Sequence, residues 1–484
     1  MAALGLLAVA AAGLGCSDDD DDGGTTVTGD VDAGDKPGPD PVPVKPVNPE
    51  TLAKLKAASW PMMGYDAANN YHNPDEDTLS VDNAADLEVK WSFTVEGWPA
   101  GTPVIAEGKV FVMATGGTYA IDFATGEQVW KSSLGGTASV AYHDGAVYVH
   151  TAMADLYRLD AETGEQVWGP VKTFDWLRAD GTSSPIVAHG KVYAGHSTIL
   201  EVMMTEGNHQ AEARGGVRAL NIEDGSDAWH YYTTELPENG AMVWSSVAAD
   251  EDAVYASTGN NYTVLGGNSD AIHAISHMDG SRMWVSQVRD TDAWVLTDPM
   301  LRGNPDSDFG ANPILGEVDG KRVVAAGDKL GDFWMMDREN GDVVWKREAI
   351  STSHTPQNGG ILNNGAFDGK VFYAVANQPP NESVLVAMKA DEDGMDVWEP
   401  KVYGQVAWGM PSVANGVLVV PINDELHILN AETGEELKMF NVGGTVAAGS
   451  AAIAGGRIVV QSGMQYPFAP TAKNNDQVIC YGLP

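Results

Sequence analysis

From about residue 58 onward, apolar positions come in short runs of β-branched and aromatic residues, cut apart by glycine-bearing turns. That pattern predicts strands, not helices. One strand recurs in eight copies: GKVFV from Gly108, GAVYV from Gly145, GKVYA from Gly190, GKVFY from Gly369, GVLVV from Gly416 and GRIVV from Gly456, with DAVYA from Asp252 and KRVVA from Lys321 lacking the glycine. A second element follows most of them, reading strand, turn, strand. YAIDFATGEQVW ends at Trp130, YRLDAETGEQVW at Trp168, ALNIEDGSDAW at Trp229, AISHMDGSRMW at Trp284, MMDRENGDVVW at Trp345 and AMKADEDGMDVW at Trp398. ILNAETGEELK is a degenerate seventh copy, with Lys438 in the Trp place. The turn glycine takes the positive-φ position, and the Trp opening the outer strand can wedge between neighbouring units.

The repeats decide the fold. The expected class is all-β: an eight-bladed β-propeller over residues 58–484, forming one domain. Its last blade is split. DQVICY near the C-terminus is a strand with no turn or Trp after it, while LEVKW, ending at Trp91, is an outer strand with no inner strand before it. Joined, they close the ring and leave no exposed sheet edge. Insertions at about 196–216, 262–269 and 286–310 lengthen loops, which gather on one face of such a ring.

The N-terminal part reads differently. Residues 1–15, MAALGLLAVAAAGLG, are apolar but too short to span a bilayer, and Cys16 follows at once. This resembles a bacterial lipoprotein signal, with Cys16 lipidated and residues 1–16 forming the signal and lipobox. Residues 17–57 are rich in Asp, Gly and Pro and predict a tether without regular structure. The implied location is outside the inner membrane, in the periplasm or anchored to the outer membrane. The only other cysteine is Cys480, so stability rests on packing rather than disulfides. Lys and Arg number 28 against 67 Asp and Glu, for a net charge of -39. So acidic a chain repels nucleic acid and anionic membrane surfaces and is compatible with bound cations.

The six turn motifs ending in Trp resemble the tryptophan-docking repeat of pyrroloquinoline quinone (PQQ) dehydrogenases, over roughly 58–484. Three segments are similar to the polyvinyl-alcohol dehydrogenase branch: WPMMGYDAANNYHNP from Trp60, VWSSVAADEDAVYASTGNNY from Val243, and NPDSDFGANPIL from Asn304. The resemblance implies PQQ lying flat over Trp244, chelating Ca²⁺ or a lanthanide. Asn260 matches the family's amide ligand and Glu201 its carboxylate ligand. Asp306 matches the proton-abstracting Asp, and Asp308 a second acidic position of lanthanide-using members. In an alternative register, Asp292 is the base. Lys329 matches a cation that contacts quinone and base, and Thr182, Ser197, Asn377 and Trp408 match further contact positions. Residues two apart in an extended stretch point the same way, so Asp306 and Asp308 can face one cation.

The reaction so implied is oxidation of a small-molecule or polymeric alcohol. There is no Cys-x-x-Cys-His, so no covalent c-type haem is held and electrons leave to a separate acceptor such as a cytochrome c. Some relatives carry adjacent cysteines near the cofactor and an Arg in the first full blade; this chain has neither. Two other readings share the repeats: a cofactor-free lipoprotein scaffold that holds other proteins, and a polymer-binding module that has lost catalysis. The set Trp244, Asn260, Asp306, Asp308 and Lys329 discriminates, since a scaffold has no need of it.

Overall fold

The computed structural model describes residues 47–175, 179–198, 213–236, 238–262, 268–289, 306–351, 359–363, 365–378, 380–464 and 472–484. Eight sheets with antiparallel four-stranded blades follow one another in a ring, as the repeats predict, and His72–Asn73 adds a fifth, parallel strand to Ser412–Ala414 of the seventh. Blade one, for example, contains Pro99–Ala106, Lys109–Ala114, Gly117–Asp122 and Gln128–Ser132 from axis to rim. The closing blade joins Ala452–Ala454, Arg457–Ser462 and Gln477–Gly482 to Glu88–Thr94 from the other end of the chain, with Trp91 opposite Cys480. The GKVFV-type segments are the second strand of each blade, buried on both faces.

The Trp residues make the joints. Each indole N–H donates to a carbonyl of the next blade: Trp91 to Phe123, Trp130 to Ala161, Trp168 to Ile222, Trp229 to His277, Trp284 to Arg338, Trp345 to Ala390 and Trp398 to Ala431. Each ring also lies on the turn glycine of that next blade, where a Cβ would come within 2.6–3.0 Å of it. Those glycines have φ of +71° to +78°, so turn geometry and close approach exclude other residues for two separate reasons. Trp130, Trp168, Trp229 and Trp345 are buried and Trp284 half-buried. At the joint into the closing blade Lys438 takes the Trp role, donating to Ala85 and Leu87 carbonyls.

Two devices near the axis are absent from the repeat pattern. The first is a strap, Trp60–Asn73, that visits every innermost strand in turn. It bonds Ile105, Tyr142, Val187, Ala249, Leu315, Phe367, Val413 and Ile453, through Trp60, Pro61, Met62, Ala67, Ala68, Asn70, Tyr71 and Asn73 respectively. Tyr65, Asn69 and Tyr71 have positive φ, which curls the strap round the axis. The second is a collar of backbone N–H groups donating to side chains of the following blade. It runs Ser450 to Thr102, Thr102 to Ser139, Ser139 to Ser184, Ser184 to Ser246 and Ser246 to Asn312, each 2.7–2.9 Å.

One expectation needs correction. Residues 49–57, read as the end of an unstructured tether, form a helix, Pro49–Ala57. Asn48 caps it by accepting from Thr51 N at 2.9 Å, Pro49 opens it, Glu50 lies in the first turn and Lys54 and Lys56 in the last. Residues 17–46 of that tether and Cys16 lie outside the described residues.

Candidate active site at the loop end of the axis

The loops that enter the innermost strands, and those joining second to third strands, share one end of the ring. Most residues singled out by sequence stand on them. Asp306 and Asp308 precede Ile314–Val318; Trp244 precedes Ala248–Ala249; Asn260 follows Ala253–Ser257; Lys329 follows Lys321–Gly327.

Local bonds place each of them. Phe309 N donates to Thr258 O and Lys329 N to Asp308 O, locking three loops together. Asp328 shapes the turn beneath Lys329: its Oδ1 accepts from Leu330 and Asp332 backbone N–H at 3.0 Å. Its Oδ2 accepts from Trp334 Nε1 and Arg289. The Trp244 ring sits directly on Gly259, where a Cβ would lie 2.0 Å from the indole and 2.8 Å from Asp308 Oδ1. Only glycine permits that approach.

The result is one compact charged group. Lys329 Nζ lies 3.2 Å from both oxygens of Asp306, bonds Asp308 Oδ2, and stands 5.7 Å from the centre of the Trp244 ring. Asp308 Oδ1 accepts from the Asn260 backbone N–H at 2.5 Å. Both carboxylates are buried, and they do point the same way as their spacing predicts. The cation they share here is the Lys329 ammonium. Burial works against its charge, but the Coulombic pull of Asp306 and Asp308 outweighs that, and the Lys329 pKa stands above the ordinary lysine value.

Sequence reasoning missed two neighbours. The fully buried Tyr262 phenol is held above the ordinary tyrosine pKa by burial first, then by the charges of Asp308 and Asp180. Its nearest signal was the TGNNY segment itself. Asp180, whose N–H donates to Ser197 O, left no local signal at all.

The weaker candidates divide. Ser197 is buried beside Asp180, and Thr182 stands on the same loop with a buried Oγ1 that has no partner among the described residues. The amide of Asn377 closes a pair of bonds with the Ala407 backbone, giving it a structural task. Trp408 packs with Ala100, Val406, Ala447 and Met464. Glu201 and the alternative base Asp292 lie outside the described residues. Among the described residues, no group of three Asp, Glu, His or Cys side chains is arranged to hold a metal.

These residues fit a flat aromatic cofactor with a hard cation. The Trp244 indole rests on a glycine, the buried Thr182 hydroxyl has no partner among the described residues, and Asp306, Asp308 and Asn260 carry oxygen donors.

The PQQ_2 family model, described as outer membrane protein assembly factor BamB, matches residues 51–130, 75–265 and 381–480. The chain belongs to the PQQ_2 family. This PQQ_2 chain is 25% identical over 472 residues to a polyvinylalcohol dehydrogenase of Pseudomonas sp, covering 84% of this chain and 73% of that protein. It is 24% identical over 368 residues to the outer membrane protein assembly factor BamB of Yersinia pestis, covering 72% and 79%. Among solved structures it resembles the quinohemoprotein alcohol dehydrogenase ADHIIG of Pseudomonas putida HK5, with a TM-score of 0.70 at 18% identity over 90% of this chain and 82% of that one. That likeness establishes the propeller fold of the PQQ_2 chain.

Proposed function

We propose that this chain is a PQQ- and metal-dependent alcohol dehydrogenase of the cell envelope, acting on a secondary or polymeric alcohol, with Asp306 as the base. The observation that carries the reading is the Lys329 ammonium held between two buried carboxylates beside the Trp244 face. Burying three charged groups is costly, and a loop that only connects strands has no use for them. The likeness to the Pseudomonas polyvinylalcohol dehydrogenase supports the reading.

When bound, PQQ with its Ca²⁺ or lanthanide would accept the carbinol hydride, so the redox chemistry is the cofactor's. The chain supplies the rest. Asp306 takes the hydroxyl proton of the alcohol at its carboxylate. Lys329 provides the compensating positive charge at 3.2 Å and holds Asp306 and Asp308 in one orientation. Trp244 would offer the flat face for the quinone, with Thr182, Ser197 and Lys329 as polar contacts to it. Asp308 and Asn260, joined by Glu201, would furnish oxygen donors to the cation. Electrons pass to a separate acceptor such as a cytochrome c, and Cys16 supplies a lipid anchor.

Titration of the purified protein with PQQ, in the presence of Ca²⁺ or a lanthanide, tests this by absorbance. Saturable uptake with a shifted quinone spectrum is expected. If no PQQ is taken up with any of these metals, the enzyme reading fails. The scaffold reading, supported by the BamB description of the family and by the Yersinia pestis relative, then takes its place.

A further inference from the structure

We infer that Asn312 is a positioning residue that sets the Trp244 indole against the Asp306–Asp308 carboxylates from beneath. Its geometry stands by itself; its consequence for cofactor binding rests on the proposed function.

Trp244 and the two carboxylates stand on successive loops, entering blades four and five, with no covalent link to fix their spacing. Asn312 is 3% exposed and lies four positions after Asp308. Its Oδ1 accepts from the Ser246 N–H at 2.9 Å, two positions after Trp244. Its Nδ2 donates to Tyr71 Oη of the strap at 2.8 Å. One side chain thus ties the Trp244 loop, the carboxylate loop and the strap. A second tie runs alongside: Ser257 Oγ donates to Ala311 O at 2.6 Å and lies 2.7 Å from Ser245 Oγ.

The residue type matters. The collar steps before this one accept on Ser or Thr hydroxyls, each from one blade to the next. At this step an amide replaces the hydroxyl. Its acceptor and its donor are fixed in one plane, so holding Ser246 and Tyr71 together also fixes the plane of the side chain. The main chain at 312 is thereby held at a set distance from Ser246. Tyr71 is rigid enough to pull against: fully buried, in left-handed backbone at φ 51°, with its carbonyl accepting from Val413 N and its N–H donating to Gly64 O. A hydroxyl in place of the amide would be too short to span both partners.

The test compares Asn312→Leu, Asn312→Asp and Tyr71→Phe with the wild type. It reads hydrogen exchange of peptides covering 243–248 and 306–316 in the cofactor-free protein, PQQ affinity with Ca²⁺ by absorbance, and melting temperature. Asn312→Leu should raise exchange in both peptides and weaken PQQ about tenfold or more. Its melting temperature should fall further than that of Tyr71→Phe, since both bonds are lost. Tyr71→Phe keeps the Ser246 bond and frees only the plane of the amide, so its PQQ affinity should fall by less than that of Asn312→Leu. Asn312→Asp keeps an oxygen for Ser246 N–H and lets Tyr71 donate instead, so it should recover most of the affinity. Should Asn312→Leu fail to fold, Asn312→Ser takes its place with the same expectation. Unchanged exchange at 243–248 and 306–316, or equal damage from Tyr71→Phe, overturns the assignment. If the wild type itself takes up no PQQ, the proposed function falls, and the exchange data alone decide the role of Asn312.

Discussion

Lys329→Met is the most informative single change at the loop end. The Lys329 side chain is 11% exposed, and those of Asp306 and Asp308 are 1% and 2% exposed. Methionine keeps most of the length and volume while removing the charge. Two buried carboxylates then lose the ammonium they share, and breaking a buried ionic cluster in this way costs about 3–5 kcal/mol. The cost carries a pH signature, because the stranded pair can relieve it by binding a proton. The unfolded chain loses its Asp protons near about pH 3.9. The folded variant retains one to higher pH, so it binds more protons than the unfolded form and loses stability as pH rises. The slope is at most about 1.4 kcal/mol per pH unit for each proton retained. The deficit against wild type should therefore be small near about pH 4 and full by about pH 7. Wild type has no such loss from Lys329 in that window. The folded pKa of Lys329 is raised, so its contribution is complete below the ordinary lysine value and is lost only as pH climbs through the folded one. Guanidinium unfolding of both proteins across this range measures the difference. Ca²⁺ should recover part of the deficit in the variant, in proportion to the logarithm of its concentration above Kd. A deficit of equal size at every pH, or one under about 1 kcal/mol at neutral pH, refutes the reasoning.

Trp345→Ala should cost about 3–5 kcal/mol, since the ring is 6% exposed, bonds Ala390 O at 2.9 Å and packs on Phe333, Phe372 and Gly394; calorimetric unfolding within about 1 kcal/mol of wild type would contradict the joint. Asp306→Ala should abolish dye-linked alcohol oxidation with circular dichroism unchanged, and retained turnover would remove Asp306 from the role of base. Asp308→Ala should alter the preference between Ca²⁺ and a lanthanide more than the melting temperature, a comparison that metal titration monitored by PQQ absorbance makes directly. Mass spectrometry of protein from the native host should find Cys16 acylated, and a free thiol or a different mature N-terminus would rule out the anchor.

The ring was legible in the sequence because every blade repeats the same short-range chemistry. A turn glycine, an Asx residue before it and a Trp after it are all within a dozen positions, so their pattern survives without knowledge of what they touch. The split closing blade was legible for the same reason, as two incomplete copies of one unit. The helix Pro49–Ala57 had local signals too, in Asn48, Pro49 and Glu50, but the Asp- and Pro-rich composition before it masked them. In the candidate site, the sequence placed Asp306 and Asp308 on one side of an extended stretch. Only the tertiary structure decided that Lys329 stands between them and that Trp244 rests on Gly259. It also turned Asn377 to the Ala407 backbone, where it serves the loop. The collar and the strap were not legible at all. Each of their bonds joins a lone Ser, Thr, Asn or backbone group to a partner far along the chain, as Ser450 joins Thr102. Such a bond adds nothing to local propensity or periodicity. It forms only after ring closure has removed the entropy that separates its ends, so no short stretch of sequence reports it.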